Sequence, residues 1–349
     1  MIDAASEKRL QKLLARCGHS SHTHLFYLGD KELYWDSKHE AVIVYRLVGK
    51  KRMVLGDPVG APHAAQRVIR QFIADCQRHK HAPVFYQIKS AHLELYRAFG
   101  LQPVKIGEEA IIQLPDFHTG GKQWLKLRNR MSKLERSGYV FEVLHPPHSD
   151  ALLNRLRIIS DEWLGNRKEK SFSVGSFSRE YVSRFPVAVW IGPDGQYEAF
   201  ASFGGSSRME ASYGLEQGTK QITIDLMRYT GACPHGAMEV LFVSLFLWAK
   251  ERGYQQCSLG VAPLANVDHV YLMKLIYKYG NRLYNFKGLY EYKNKFAPQW
   301  KDIYLACPPS ALPLNLALLA LIIHKPCPYQ LEAIQDKPMQ EIPLLRKRA

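Results

Sequence analysis

Residues 221–238 read Q-I-T-I-D-L-M-R-Y-T-G-A-C-P-H-G-A-M. The first nine alternate and begin with β-branched residues, so they predict a strand. Asp225 and Arg228 stand three apart near its end. Gly231, Pro234 and Gly236 then turn the chain. The apolar run from Ala237 to Arg252 predicts a helix buried on nearly all sides. A strand that leads through a loop into a helix N-terminus presents free N–H groups and the positive end of the helix dipole, a natural place for an anion. Two readings are open: a phosphate-handling active site, or a strand-to-helix corner where Asp225 and Arg228 form a structural ion pair.

The same order of elements occurs earlier. Strand, Gly/Pro turn, helix, strand, short helix, Gly, strand is read at about 52–114 and again at about 221–296. The first copy holds V-L-G-D-P-V-G, a helix from His63 to Arg78, a strand at Pro83–Ile88, a short helix Ala91–Phe99 closed by Gly100, and a strand at Glu108–Leu114. The second continues with a strand at Gln256–Val261, a helix Asn266–Tyr279 ended by Gly280, and strand patterning within Leu283–Phe296. This predicts an internal duplication and an α+β fold of α/β layers. Further strands are expected at Leu25–Leu28, Ala41–Leu47, Arg52–Leu55, Tyr139–Leu144, Pro186–Ile191, Glu198–Gly204 and Met209–Tyr213. Helices are expected over residues 1–16 and Ala151–Leu164.

Between the halves, Gly120–Gly138 predicts a basic helix. Trp124, Leu127, Met131 and Leu134 form its apolar stripe. Lys126, Arg128, Arg130, Lys133 and Arg136 give a nearly one-signed polar side, either a solvated face or a contact for tRNA or lipid phosphates. The expected organisation is a first unit over 1–118, the connecting helix over 119–138, a second unit carrying the site over 139–308, and a C-terminal helix and tail over 309–349.

Length and charge agree. A chain of 349 residues suits two domains. Its net charge of +15 points to an anionic partner, nucleic acid or anionic lipid or both, and is large for an enzyme of small neutral substrates. The six cysteines show no C-x-x-C pairing and read as free thiols of a reducing compartment. No apolar run reaches the roughly 18–20 residues of a spanning helix. Ala311–Ile323 is too short and carries Pro313 and Asn315, so it reads as a buried or interfacial helix. His19, His22 and His24 invite a metal, but no carboxylate or thiolate set completes a ligand sphere, and a polar turn before a strand is expected.

Arg228-Tyr-Thr-Gly231-Ala-Cys233 resembles the first half of the R/Q-x-x-G-x-G/A loop with which acetyltransferase-like (GNAT) folds cradle a cofactor pyrophosphate. Cys233 and Pro234 depart from that loop, which implies the fold without coenzyme A. The chain as a whole resembles the soluble catalytic part of the aminoacyl-phosphatidylglycerol synthases, the multiple peptide resistance factor family, and among them a lysylphosphatidylglycerol synthase. The resembling segments are F-Y-L-G-D-K (Phe26–Lys31), L-G-D-P-V-G (Leu55–Gly60), S-D-E-W-L-G-N-R-K-E-K-S-F-S (Ser160–Ser173), D-L-M-R-Y (Asp225–Tyr229), A-P-L-A-N-V (Ala262–Val267) and K-N-K-F-A-P-Q-W (Lys293–Trp300).

The resemblance implies two tandem GNAT-like domains joined by the basic helix, with the site on the second. It implies transfer of an aminoacyl group, lysyl by preference, from aminoacyl-tRNA to a glycerol hydroxyl of phosphatidylglycerol, with no cofactor. The implied partners are an anionic membrane surface and an N-terminal membrane-spanning part, at the cytoplasmic face of a bacterial cell membrane. Asp225 would orient the hydroxyl or the amino group, or act as base. Arg228, with Lys293 or Lys295, would hold the lipid phosphate or the developing charge. Glu291 is a candidate for a cationic amino-acid group. Arg167, Glu169 and Lys170 of the polar loop 166–178, together with Asn266, are substrate-binding candidates. His235 is either a base or a residue of the helix cap. Four alternatives stay open: an alanyl-specific version, tRNA-dependent transfer to a cell-wall precursor, a coenzyme A-dependent acyltransferase, and a non-catalytic RNA- or membrane-binding module.

Overall fold

The computed structural model describes residues 3–17, 20–205, 220–267 and 286–325. Its strands are β1 (Glu32–Trp35), β2 (Ala41–Val48), β3 (Lys51–Leu55), β4 (Val59–Gly60), β5 (Ala82–Lys89), β6 (Gln102–Gln113), β7 (Val140–Leu144), β8 (Val187–Ile191), β9 (Tyr197–Gly205), β10 (Gln221–Tyr229), β11 (Gln256–Pro263) and β12 (Gln299–Cys307). The α-helices are α1 (Ala4–Cys17), α2 (Pro62–Arg78), α3 (Leu93–Ala98), α4 (Leu125–Arg136), α5 (Asp150–Leu164), α6 (Arg179–Val182), α7 (Ala237–Glu251), α8 (Phe286–Asn294) and α9 (Leu312–His324).

All these strands share one mixed sheet in the order β1-β2-β3-β5-β12-β6-β11-β10-β9-β8-β7, with β4 on β2. Only β3/β5 and β10/β11 pair in parallel. Each parallel pair brackets a long helix, α2 or α7, as a β-turn-α-β unit requires. The centre of the sheet is an exchange. β6, from the first half, pairs with β11 of the second, and β12 pairs with β5 of the first half. The two halves are thereby knitted into one sheet of mixed α/β layers.

Helical periodicity sets the layers. In α2, Val68, Phe72 and Cys76 are fully buried against Val54 and Phe85. Most of α7 is buried, and it packs with Trp124, Leu127 and Leu134 of the basic segment in one cluster. On the opposite face, α1, α5 and α9 share a core with β2, β9 and β12.

Two segments differ from the sequence expectation. Thr23–Leu28 is a 3-10 helix rather than a strand, because five of its six side chains are buried with no alternation, and Gly29 closes it at φ 77°. The described part of Leu283–Phe296 is helix α8 rather than a strand. Leu289, Tyr292, Lys293 and Phe296 recur at helical spacing and face inward, and the strand follows at β12. The expected strand Met209–Tyr213, most of the helix Asn266–Tyr279, His19 and the tail beyond 325 lie outside the described residues. Cys17, Cys76, Cys233, Cys257 and Cys307 are free thiols. Among the described residues no helix is long and apolar enough to cross a membrane.

Candidate active site

A cavity opens where β10 and β11 part. Their parallel pairing covers only Gln221–Thr223 against Gln256–Ser258. Beyond it β10 shifts register between Ile224 and Met227, and β11 shifts between Ser258 and Val261. Gly260 sits in that second irregularity at φ 76°, a left-handed conformation that favours glycine. The resulting cavity has a volume of about 250 Å³, and Asp225, His24, Gln87, Glu109, Tyr292 and Lys293 line it.

Asp225 is held from two sides. The Tyr181 hydroxyl donates to its Oδ2 at 2.8 Å, and His24 Nε2 stands 3.5 Å from Oδ1. Burial and the adjacent carboxylate push the Tyr181 phenol well above its ordinary pKa, so it remains a donor. Gly175 of the polar loop lies against the same carboxylate. A Cβ there would stand 2.0 Å from Oδ1, so only glycine fits. His22, which also lines the cavity, is pushed down to about 3 by burial and is a neutral imidazole.

Lys293 enters from α8. Its side chain is buried, and its Nζ donates to the Val261 carbonyl at 2.9 Å. Burial pushes its ammonium down to about 7, with the charge of Glu109 opposing the shift. An amine with that value shares its population between charged and neutral forms near neutral pH. Gly260 lies beside it, a Cβ there standing at ordinary contact distance, 3.8 Å from Nζ.

Arg228 does not pair with Asp225. Its Nη2 donates to Glu169 Oε2 at 2.9 Å, its guanidinium lies 4.0 Å from the Trp163 ring centroid, and its buried Nε has no partner. Arg167 lies over the same indole at 4.1 Å. Burial, followed by the charges of Arg228 and Arg167, lowers the pKa of Lys170. Arg228 and Arg167 thus meet over Trp163, with Glu169 on Arg228 and Lys170 near enough to feel both charges, three cations to one carboxylate, an arrangement suited to an anion.

The structure places the other sequence candidates elsewhere. Lys295 is exposed and pairs with Glu239 at 2.5 Å. Glu291 is exposed on α8 beside Lys287, and His235 is exposed in the turn before α7. Asn266 donates to Glu108 Oε2 at 2.8 Å. At the corner itself, Glu162 Oε1 accepts the Gly231 N–H at 2.7 Å, and Glu239 stands in the first turn of α7, paired with Arg130 and Lys295. The protein's own carboxylates therefore take the places where an anion was expected. On α4, Arg128 bonds the Thr119 and Gly121 carbonyls, while Lys126, Lys133 and Arg136 are exposed.

A second cavity of about 450 Å³ lies under α9, between Ile106 and Leu264 on one side and Leu316, Leu319 and Ile323 on the other. It shares Gln87, Ser173, Val174 and Val261 with the first, so an apolar chamber adjoins the polar one.

Sequence reasoning passed over Tyr181, Trp163 and Glu109, and read His24 as part of a polar turn where the structure buries it beside Asp225. Each is brought in by an element distant in the chain, and the only local signals were the histidine cluster and the tryptophan in the segment before the polar loop.

The family described as "Phosphatidylglycerol lysyltransferase, C-terminal" matches residues 11–307. The phosphatidylglycerol lysyltransferase of Bacillus subtilis (strain 168) is 37% identical over 311 residues, 87% of this chain and 35% of that protein. The phosphatidylglycerol lysyltransferase of Staphylococcus aureus (strain COL) is 33% identical over 302 residues, 84% of this chain and again 35% of that protein. The solved structure of L-PGS from Bacillus licheniformis aligns with a TM-score of 0.81 at 37% identity, covering 93% of this chain and 98% of that one. The chain therefore spans 35% of the length of these curated relatives.

Proposed function

Because the chain belongs to the phosphatidylglycerol lysyltransferase C-terminal family, we propose that it transfers an aminoacyl group, lysyl by preference, from aminoacyl-tRNA to a glycerol hydroxyl of phosphatidylglycerol. The observation that carries this reading is the pair of adjoining cavities. A polar chamber with Asp225, His24 and Lys293 opens beside an apolar one under α9, which suits an acceptor with a polar head and an acyl chain.

The reaction is a transesterification. The glycerol hydroxyl attacks the ester carbonyl of the donor, and the neutral fraction of Lys293 accepts the hydroxyl proton. The tetrahedral intermediate then expels the ribose oxygen of the tRNA, which takes up that proton, so the net step moves only the acyl group. Asp225, fixed by Tyr181 and facing His24, orients the hydroxyl or the donor's α-amino group. Arg228, with Arg167 and Lys170, holds a phosphate through the fork geometry of its guanidinium.

We read the halves as tandem GNAT-like units joined by the basic segment. The repeated order of elements and the two parallel β-turn-α-β units support this. The Gly231 N–H already engaged by Glu162 supports chemistry without coenzyme A. A product carrying lysine lowers the negative charge of the membrane and would resist cationic peptides. The longer relatives are consistent with a membrane-spanning partner segment and with action at the cytoplasmic face.

The test offers labelled lysyl-tRNA or alanyl-tRNA with phosphatidylglycerol vesicles, and in parallel with a cell-wall precursor. Lysyl label entering the lipid is the expected result. Label entering only the precursor, or no transfer to either acceptor, overturns the reading.

A further inference from the structure

Glu109 is a buried acid that the mechanism above does not use. It sits on β6 opposite Val261 of β11 and is 4% exposed. Its Oε1 accepts the Ser258 hydroxyl at 2.6 Å. Among the described residues no cation pairs with it, and the nearby Lys293 gives its hydrogen bond to a carbonyl instead. Its neighbour Glu108 is different, paired with Lys105 at 2.7 Å and with Asn266. A carboxylate withdrawn from water is costly unless a cation or several donors meet it. Glu109 has one donor and a cavity in front of it.

Its place relative to Asp225 is informative. Asp225 is on β10 and Glu109 on β6, and only β11 runs between them. Beyond Ser258 the strand β11 is irregular and carries Gly260 beside the Lys293 ammonium, and Asp225, Lys293 and Glu109 line one cavity. Leu259, Val261, Leu289 and Phe242 also line the cavity and offer apolar surface to a methylene stem. A lysyl ester carries an α-ammonium next to the reacting carbonyl and a second ammonium four methylenes away. Two carboxylates with an apolar wall in the same cavity match that layout.

We propose that Glu109 is the specificity-determining residue that receives the side-chain ammonium of the transferred amino acid, while the reacting ester lies at Asp225 and Lys293. This rests on the aminoacyl-transfer reading and deepens it: the donor class is a tRNA ester of an amino acid with a long cationic side chain. A site built around a buried charge rejects an analogue without the matching group more strongly than an apolar pocket rejects a missing methylene.

The experiment measures kcat/KM of the full chain with tRNA charged with lysine or with norleucine, which keeps the stem and lacks the terminal ammonium. Phosphatidylglycerol vesicles are the acceptor. The wild type is expected to prefer lysyl over norleucyl by about 10⁴-fold. Glu109→Gln is expected to lose most of the lysyl rate while keeping the norleucyl rate, so that the ratio collapses toward one. A fall of both donors by the same factor, or an unchanged ratio, overturns the inference. If Glu109→Gln does not fold, two measurements replace it. Glu109→Asp is expected to give an intermediate ratio, and the wild type is expected to be inhibited by lysine methyl ester well below the concentration needed of norleucine methyl ester. Equal inhibition by the two esters, or an unchanged ratio in Glu109→Asp, overturns the inference. Failure of the parent reading looks different, since the wild type would then transfer neither amino acid to the lipid.

Discussion

The two strand-to-helix corners of this chain are built alike and end differently. In the first, β3 leads through Gly56 and Asp57 into α2. In the second, β10 carries Asp225 and leads through Gly231 into α7. Each aspartate accepts a hydrogen bond from a buried tyrosine, Tyr96 to Asp57 at 2.9 Å and Tyr181 to Asp225 at 2.8 Å. The first carboxylate has two further partners: the Lys89 N–H donates to it at 3.1 Å, and His92 Nδ1 stands 3.1 Å away. His22 fills the space over Gly56, where an added Cβ would fall 1.6 Å from its Nε2. Asp225 keeps free acceptor capacity and faces a cavity. A carboxylate has about four acceptor positions, so what separates a structural corner from a candidate site is how many of them the protein leaves open.

The sharpest break of that comparison is a matched pair of substitutions. Asp225→Asn is expected to reduce transfer by about 10²- to 10⁴-fold, the range of a lost acid–base or orienting group, with the fold retained. Asp57→Asn is expected to lower stability by about 1–3 kcal/mol through its lost acceptor sites and to leave kcat/KM of the folded protein largely unchanged. Steady-state kinetics beside thermal unfolding separates the two. Equal losses of activity in both variants would mean that the corners are not functionally distinct.

Lys293 offers the next test, because it stands only at the second corner. Its folded value near 7 lies below the ordinary lysine value of 10.5. Between those limits the unfolded chain holds a proton that the folded chain has released, so stability climbs with pH across that window. At and below pH 7 the full cost of the buried charge is present. Lys293→Met is expected to stabilise the protein by about 1–4 kcal/mol near neutrality, with the gain vanishing above the ordinary lysine value. Activity moves the other way. It should rise through about pH 7 in the wild type as the amine becomes neutral. In the variant it should fall about 10²-fold or more and lose that slope. A variant with the wild-type pH profile would remove Lys293 from the proton transfer.

The comparison also shows what was legible in the sequence. Alternation and helical periodicity located β10 and α2, and continuous apolar runs located α7 and β5, which are buried on nearly all sides. They also marked Asp225 and Arg228, since a charged residue inside a core pattern is conspicuous, whereas Lys293 came only from the family resemblance of its segment. They misread α8, where aromatic residues at Tyr290 and Tyr292 imitate a strand while Leu289, Lys293 and Phe296 keep the helical face. The partners of Asp225 were not legible at all. Tyr181 comes from a one-turn helix and His24 from a 3-10 segment, and neither position has a periodicity that points at β10. The β6/β12 exchange was hidden for the same reason, because pairing across the sheet is decided by side-chain fit and not by any local pattern.

The smallest expected effect concerns the charge laid beside the second corner alone. α4 packs on α7 and is tied to it by the Arg130–Glu239 pair. Arg128 is spent on the Thr119 and Gly121 carbonyls. The charge left for a nucleic acid or lipid phosphate is that of Lys126, Lys133 and Arg136, which are exposed. Each phosphate neutralised steepens the dependence of log affinity on log salt by about 0.7–0.9. The combined variant Lys126→Gln, Lys133→Gln, Arg136→Gln should therefore flatten that slope by about 2–3 for tRNA binding. Its unfolding free energy should stay within about 0.5 kcal/mol of wild type, as for exposed surface positions, the Arg136 Nε bond to the Ser132 carbonyl at 3.1 Å within α4 being given up. Arg130→Gln should do the reverse, lowering stability by breaking the α4–α7 tie and leaving Glu239 with Lys295 alone, while changing the slope little. An unchanged slope in the triple variant would make the basic side of α4 a solvated face, and the electrostatic asymmetry between the two corners would then have to come from the Arg228, Arg167 and Lys170 cluster.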